Sequence, residues 1–103
     1  MKKSDTYWVR VFIGGDFDTL RSICNDWAQQ NNVCVSISPR EYIYKGGSAM
    51  GAVIELINYP KRPRTEKEIW VDGMNLARDL RMGANQLSFT IMDPDVSEWH
   101  EET

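Results

Sequence analysis

The chain has 103 residues, 42% hydrophobic and 26% charged, with 12 Lys and Arg against 15 Asp and Glu for a formal net charge of −3. That is the size of one globular unit, since domains cluster near ~100–150 residues, and four Trp within 11% aromatics give too much apolar area for a disordered segment. The acidic balance excludes a generally basic nucleic-acid or membrane-surface binder, because affinity for phosphate backbones comes mainly from Lys and Arg.

In chain order, Tyr7 to Ile13 is rich in aromatic and β-branched residues and closes on Gly14-Gly15, which predicts a strand ending in a turn. Its apolar stretch contains Arg10 and is too short for a secretory signal or a membrane span, so the expected location is cytoplasmic. From Asp18, the residues Leu20, Ile23, Cys24, Trp27 and Ala28 form the stripe of an amphipathic helix, capped by Asp16 or Asp18 and ending within Gln29 to Asn32. Val33 to Ser38 alternates with period two, a strand interrupted by Pro39. Tyr42 to Tyr44 resumes an extended segment before a glycine turn at Gly46-Gly47, and Ala52 to Tyr59 is the next strand, ended by Pro60.

A loop with Lys61, Arg62, Pro63 and Arg64 leads to Thr65-Glu66-Lys67-Glu68, a capping box opening a second helix. That helix places Ile69, Gly73, Leu76, Ala77 and Leu80 on one face, Trp70 and Met74 are read as packing, and Gly83 is the stop. Leu87 to Met92 alternates as the last strand, and Asp93-Pro94-Asp95 turns the chain out into an acidic tail carrying Trp99 and His100. The sequence therefore predicts one domain over 1–95 and an acidic C-terminal tail over 96–103.

Strand, helix, strand, strand, helix, strand is the split βαβ order of the ferredoxin-like fold, an α+β sandwich with a four-stranded antiparallel sheet and two helices on one face. Period two then puts Val9, Val11, Ile13, Val33, Val35, Ile37, Leu87, Phe89 and Ile91 against the helices. Trp8, Arg10, Phe12, Cys34, Ser36, Ser88, Thr90 and Met92 fall on the open face. Cys24 and Cys34 lie on different sides of the sheet and are expected as free thiols. Two cysteines and one histidine also fall short of a four-ligand zinc set.

Three constellations bear on function. On the open face, Trp8, Arg10 and Phe12 form a stacking platform, and Val11-Phe12-Ile13-Gly14-Gly15 resembles the first short motif of RNA-recognition domains. The second motif is absent, since Gly51-Ala52-Val53-Ile54-Glu55 stands where aromatic rings belong. Nucleic acid is thus an unfavoured partner, single-stranded RNA binding is the alternative function, and a second subunit or Trp99 of the tail is expected to cover the face. The loop Gly14-Gly15-Asp16-Phe17-Asp18 stands where acylphosphatases, which share this fold, hold phosphate. Its two aspartates repel an anion and no asparagine follows the second strand, so that activity is rejected; the aspartates read as a helix cap rather than a metal site. The third constellation joins the hairpin residues Tyr42, Tyr44, Lys45, Gly46 and Gly47 to Asn58, Tyr59, Lys61, Arg62 and Arg64, three rings with the chain's basic cluster, as a site for a protein partner or a small anionic ligand.

Tyr42-Ile43-Tyr44-Lys45-Gly46-Gly47 followed by Leu56-Ile57-Asn58-Tyr59-Pro60 resembles small, uncharacterised bacteriophage accessory proteins. The resemblance implies a host-cytoplasmic location and a binding role, and brings no catalytic residues. His100 as the sole histidine, in a tail, is a poor general base. The sequence is therefore read as a homodimeric, non-catalytic binding protein: no enzyme, no cofactor, no metal and no membrane segment.

Overall fold

The computed structural model describes residues 1–102. In chain order the elements are β1 (Trp8–Gly14), α1 (Phe17–Asn31), β2 (Ser36–Tyr44), β3 (Gly47–Ile57), α2 (Glu66–Gly83), β4 (Ser88–Met92) and β5 (Ser97–Glu101). The fold is α+β: the strands form one antiparallel sheet in the order β2-β3-β1-β4-β5, and both helices pack into a single core with it. No helix of the described residues is long and apolar enough to cross a membrane.

Local chemistry sets the helix ends. The Asp16 carboxylate accepts from the Thr19 N–H at 3.0 Å and caps α1, whose C-cap Asn32 takes the left-handed conformation. Thr65 and Glu68 close the capping box of α2. The core is built from Val9, Val11 and Ile13 of β1, Leu20, Cys24 and Trp27 of α1, Ile69, Leu76 and Leu80 of α2, and Phe89 and Ile91 of β4, all buried. Each such side chain withdrawn from water contributes about 1.5–3 kcal/mol. Gly73 is there because a Cβ would stand 2.6 Å from Val9 Cγ1, so α2 lies directly on β1. Trp70 is half-buried and Met74 fully so, against the same core.

The four-stranded expectation is corrected to five strands. Asp93 Oδ1 accepts from the N–H groups of both Asp95 and Val96 at 2.8 Å, and the Asp93 N–H donates to the Val96 carbonyl at 2.9 Å. This side-chain-made turn reverses the chain, and the stretch read as a tail returns as β5, from Ser97 opposite Met92 to Glu101 opposite Ser88. Only Thr103 of that stretch lies outside the described residues. His100 is accordingly no loose tail residue: its ring stacks on Phe89 with centroids 5.1 Å apart, and its Nε2 is 2.8 Å from Glu98 Oε1.

Two more expectations change. Pro39 does not interrupt β2, which runs straight through it with Pro39 opposite Ala52. β2 is an edge strand, where a residue without an N–H is tolerated. Leu87 is 72% exposed rather than core, because Asn85 takes a positive φ and β4 begins only at Ser88.

Candidate functional site

The face of the sheet away from the helices is read from the strand registers. One row crosses all five strands as Ser38, Val53, Phe12, Thr90 and Trp99, and the next as Ser36, Glu55, Arg10, Met92 and Ser97. Trp99 therefore extends the aromatic platform from β5 instead of folding over it, and it remains 63% exposed. Arg10 is held in place from two sides, its guanidinium 3.9 Å above the Trp8 ring and its Nε 2.6 Å from Glu55 Oε2. The expected stack of Trp8 and Arg10 is real, but Arg10's charge is already answered by Glu55.

Further along β1 the face opens where Gly14 stands opposite Gly51. Into that gap leans Tyr42 of β2, whose hydroxyl donates to the Ala52 carbonyl at 2.5 Å. Burial pushes the Tyr42 phenol upward, with a backbone hydrogen bond at Ile13 and the charge of Arg40 pulling the other way. A Cβ on Gly51 would stand 2.9 Å from the Tyr42 ring, so the missing side chain makes room for it. Tyr42, Phe12 and Trp99 thereby border a depression of about 190 Å3 that Gly14, Ser88 and Thr90 also line. Glu101, opposite Ser88 on β5 and two residues from Trp99, puts a carboxylate on the same face. Among the described residues lining this depression there is no imidazole and no carboxylate.

The structure separates residues that the sequence reading joined. β3 runs the eleven residues from Gly47 to Ile57, so the hairpin turn and the basic loop stand roughly 33 Å apart at ~3.3 Å per residue. At the turn, Tyr44 and Ile43 are exposed, and Gly46 adopts the positive φ that the two-residue link Lys45-Gly46 requires. At the other end, Asn58 organises the loop: its Oδ1 accepts from the Arg64 N–H, its Nδ2 donates to the Asp5 carbonyl, and its own carbonyl accepts from Ser4. Arg64 is paired with Asp72 at 2.5 Å. Asn58 and Arg64 thus serve the fold, while Tyr59, Lys61 and Arg62 are exposed beside a separate cleft. Of the ten hairpin and loop residues, only Tyr42 reaches the aromatic depression.

No protein-family model matches the chain, and no curated protein matches it in sequence. Two solved structures share its fold. A phage SAM lyase in the apo state superposes with a TM-score of 0.68 at 13% identity, covering 93% of this chain and 89% of that one. A phage SAM lyase in complex with S-methyl-5'-thioadenosine superposes with a TM-score of 0.71 at 11% identity, covering 99% and 94%. These matches overturn two expectations from the sequence, the non-catalytic binding protein, with its RNA-binding alternative, and the absence of enzymatic activity: the chains that share this fold from end to end are enzymes.

Proposed function

We propose that this chain is a phage-encoded enzyme that cleaves S-adenosylmethionine (SAM), acting in the host cytoplasm and binding its substrate at the Tyr42, Phe12 and Trp99 depression. The observation that carries the reading is the end-to-end likeness of fold to phage SAM lyases, one of which holds S-methyl-5'-thioadenosine. The order β2-β3-β1-β4 supports a ferredoxin-like core, to which β5 adds the edge that brings Trp99.

The chemistry of the depression supports the same reading. A planar base stacks on aromatic rings for about 1–3 kcal/mol. A sulfonium is a cation, favoured by electron-rich ring faces and by the nearby Glu101 carboxylate, and disfavoured by the arginines of the distant loop. S-Methyl-5'-thioadenosine forms from SAM when the bond from sulfur to the γ-carbon of the amino-acid part breaks with its electron pair going to sulfur. The four-carbon remainder closes as its own carboxylate oxygen bonds to that γ-carbon. No water and no proton is exchanged, so this route asks no proton transfer of the aromatic and hydroxyl side chains that line the site. Because the anion and the cation neutralise each other in that step, apolar ring faces beside the reacting atoms favour it over bulk water.

Binding tests the site. Titration with S-methyl-5'-thioadenosine, read by tryptophan fluorescence, should saturate, and Trp99→Ala should weaken the affinity by roughly 5- to 150-fold, the equivalent of the stacking energy. Unchanged affinity in Trp99→Ala, with Phe12→Ala also unchanged, removes the depression as the site.

A further inference from the structure

A cleft of about 910 Å3 lies away from the aromatic depression, between the end of α1 and the loop from β3 to α2. We propose that it is a second ligand site, for a free α-amino acid in its zwitterionic form with an apolar side chain.

Its two walls carry opposite electrostatic character. On the α1 side, the amide of Asn32 donates to the Ala28 carbonyl, and the Val33 N–H goes there too. Among the described residues, no donor reaches the carbonyls of Gln29 and Asn31, two residues of the cleft lining. The last turn of α1 also carries no basic residue of its own, so no side chain of the helix caps the negative end of its dipole. Facing it, Arg62 is the cleft's free cation, since Arg64 is committed to Asp72 and no described carboxylate pairs with Arg62. A ligand with an ammonium at one end and a carboxylate at the other satisfies both walls at once, the ammonium on the helix carbonyls and the carboxylate on the guanidinium.

Beside the amide residues Gln29, Asn31 and Asn32, the cleft has an apolar part from Ala28, Val33, Ile57 and Pro63, which suits an aliphatic or thioether side chain. The Arg62 wall is preformed: the hydrogen bonds of Asn58, the turn from the Arg62 N–H to the Tyr59 carbonyl at 2.9 Å and the Arg64–Asp72 pair hold the loop before any ligand arrives. The inference is independent of the SAM reading.

Titrating the 15N-labelled full chain with L-methionine, butyrate and butylamine tests it by amide chemical shift. L-Methionine should move resonances of residues 28–34 and 57–64, butyrate and butylamine should bind at least roughly tenfold more weakly, and Arg62→Glu should lose the methionine response. Absence of a response to L-methionine, equal binding of butyrate, or full binding by a folded Arg62→Glu chain overturns the proposal. Arg62→Glu should leave cleavage of SAM unchanged; loss of cleavage in a variant that still melts normally would merge this cleft with the active site and overturn the assignment of two sites.

Discussion

Gly51→Ala is the substitution for which the structure fixes a magnitude most closely. Gly51 is buried in β3 opposite Gly14. An added Cβ would stand 2.1 Å from the Ile13 carbonyl oxygen, 2.8 Å from Gly14 Cα and 2.9 Å from the Tyr42 ring. A carbon meets a carbonyl oxygen comfortably at about 3.3–3.6 Å, and two of the three neighbours are backbone within a five-stranded sheet, so β1 and β3 must part by about 1 Å. Overpacking of this kind costs about 1–3 kcal/mol. The hydrogen bond from the Gly15 N–H to the Met50 carbonyl, 2.9 Å long at the same corner, is the next contact to strain, and its loss adds about 1 kcal/mol. The total of about 2–4 kcal/mol corresponds to a melting temperature lower by roughly 10–25 °C for a chain of this size. Gly46→Ala is the internal comparison. Gly46 has φ +95° but nothing within 4 Å of the new Cβ, so only backbone strain of about 1 kcal/mol applies. Thermal melts followed by circular dichroism of both variants check the pair, with affinity for S-methyl-5'-thioadenosine as a second readout that Gly51→Ala alone should weaken through displacement of Tyr42. A Gly51→Ala chain that melts within a few degrees of the parent, or above Gly46→Ala, refutes the reasoning.

Three further outcomes are expected. Acid should destabilise the chain from about pH 4 downward: hydrogen bonds from Thr19 hold Asp16 below its ordinary value, those from Thr65 do so for Glu68, and for Asp93 burial raises the carboxyl but the N–H groups of Asp95 and Val96 and the Tyr7 hydroxyl outweigh it. Folded values below the unfolded ones mean stability present above the unfolded values and lost as pH falls through the folded ones, so the urea midpoint should drop between pH 5 and 3 and drop less in Asp93→Asn. Burial pushes the Cys24 thiol up to about 11 while Cys34 is exposed, so iodoacetamide on the folded chain should label Cys34 and reach Cys24 only on unfolding, as read by peptide mass spectrometry. Tyr7→Phe, which removes a 2.8 Å bond to the charged Asp93, should cost about 1.5–3 kcal/mol in chemical denaturation.

Where local chemistry decides structure, the sequence was readable: Asp16 and Thr65 as caps, the apolar faces of α1 and α2, and the alternation of β1 that separates Val9, Val11 and Ile13 from Trp8, Arg10 and Phe12. The fifth strand was not, because Asp93-Pro94-Asp95 has the composition of an exit turn, and only the bonds from the Asp95 and Val96 N–H groups to the Asp93 side chain make it a reversal. The candidate site was half legible. Tyr42, Phe12 and Trp99 were each singled out, but in two different constellations, since only the sheet order and the missing side chain at Gly51 reveal that they surround one depression. The basic loop attracted attention by its charge, yet Asn58 and Arg64 there hold the fold. The proposed reaction needs no base and would leave no His, Cys or carboxylate pattern in a sequence, so the absence of such a pattern does not argue against an enzyme.

The central claim is tested most directly by incubating the purified chain with SAM and following products by liquid chromatography and mass spectrometry, beside a folded variant carrying both Phe12→Ala and Trp99→Ala. The parent chain should give S-methyl-5'-thioadenosine and a lactone of the four-carbon amino acid in equal amounts, without incorporation of oxygen from labelled water at the broken bond, and the variant should give neither product above background. SAM left intact by the parent chain, or cleaved at an undiminished rate by the double variant, would contradict that claim.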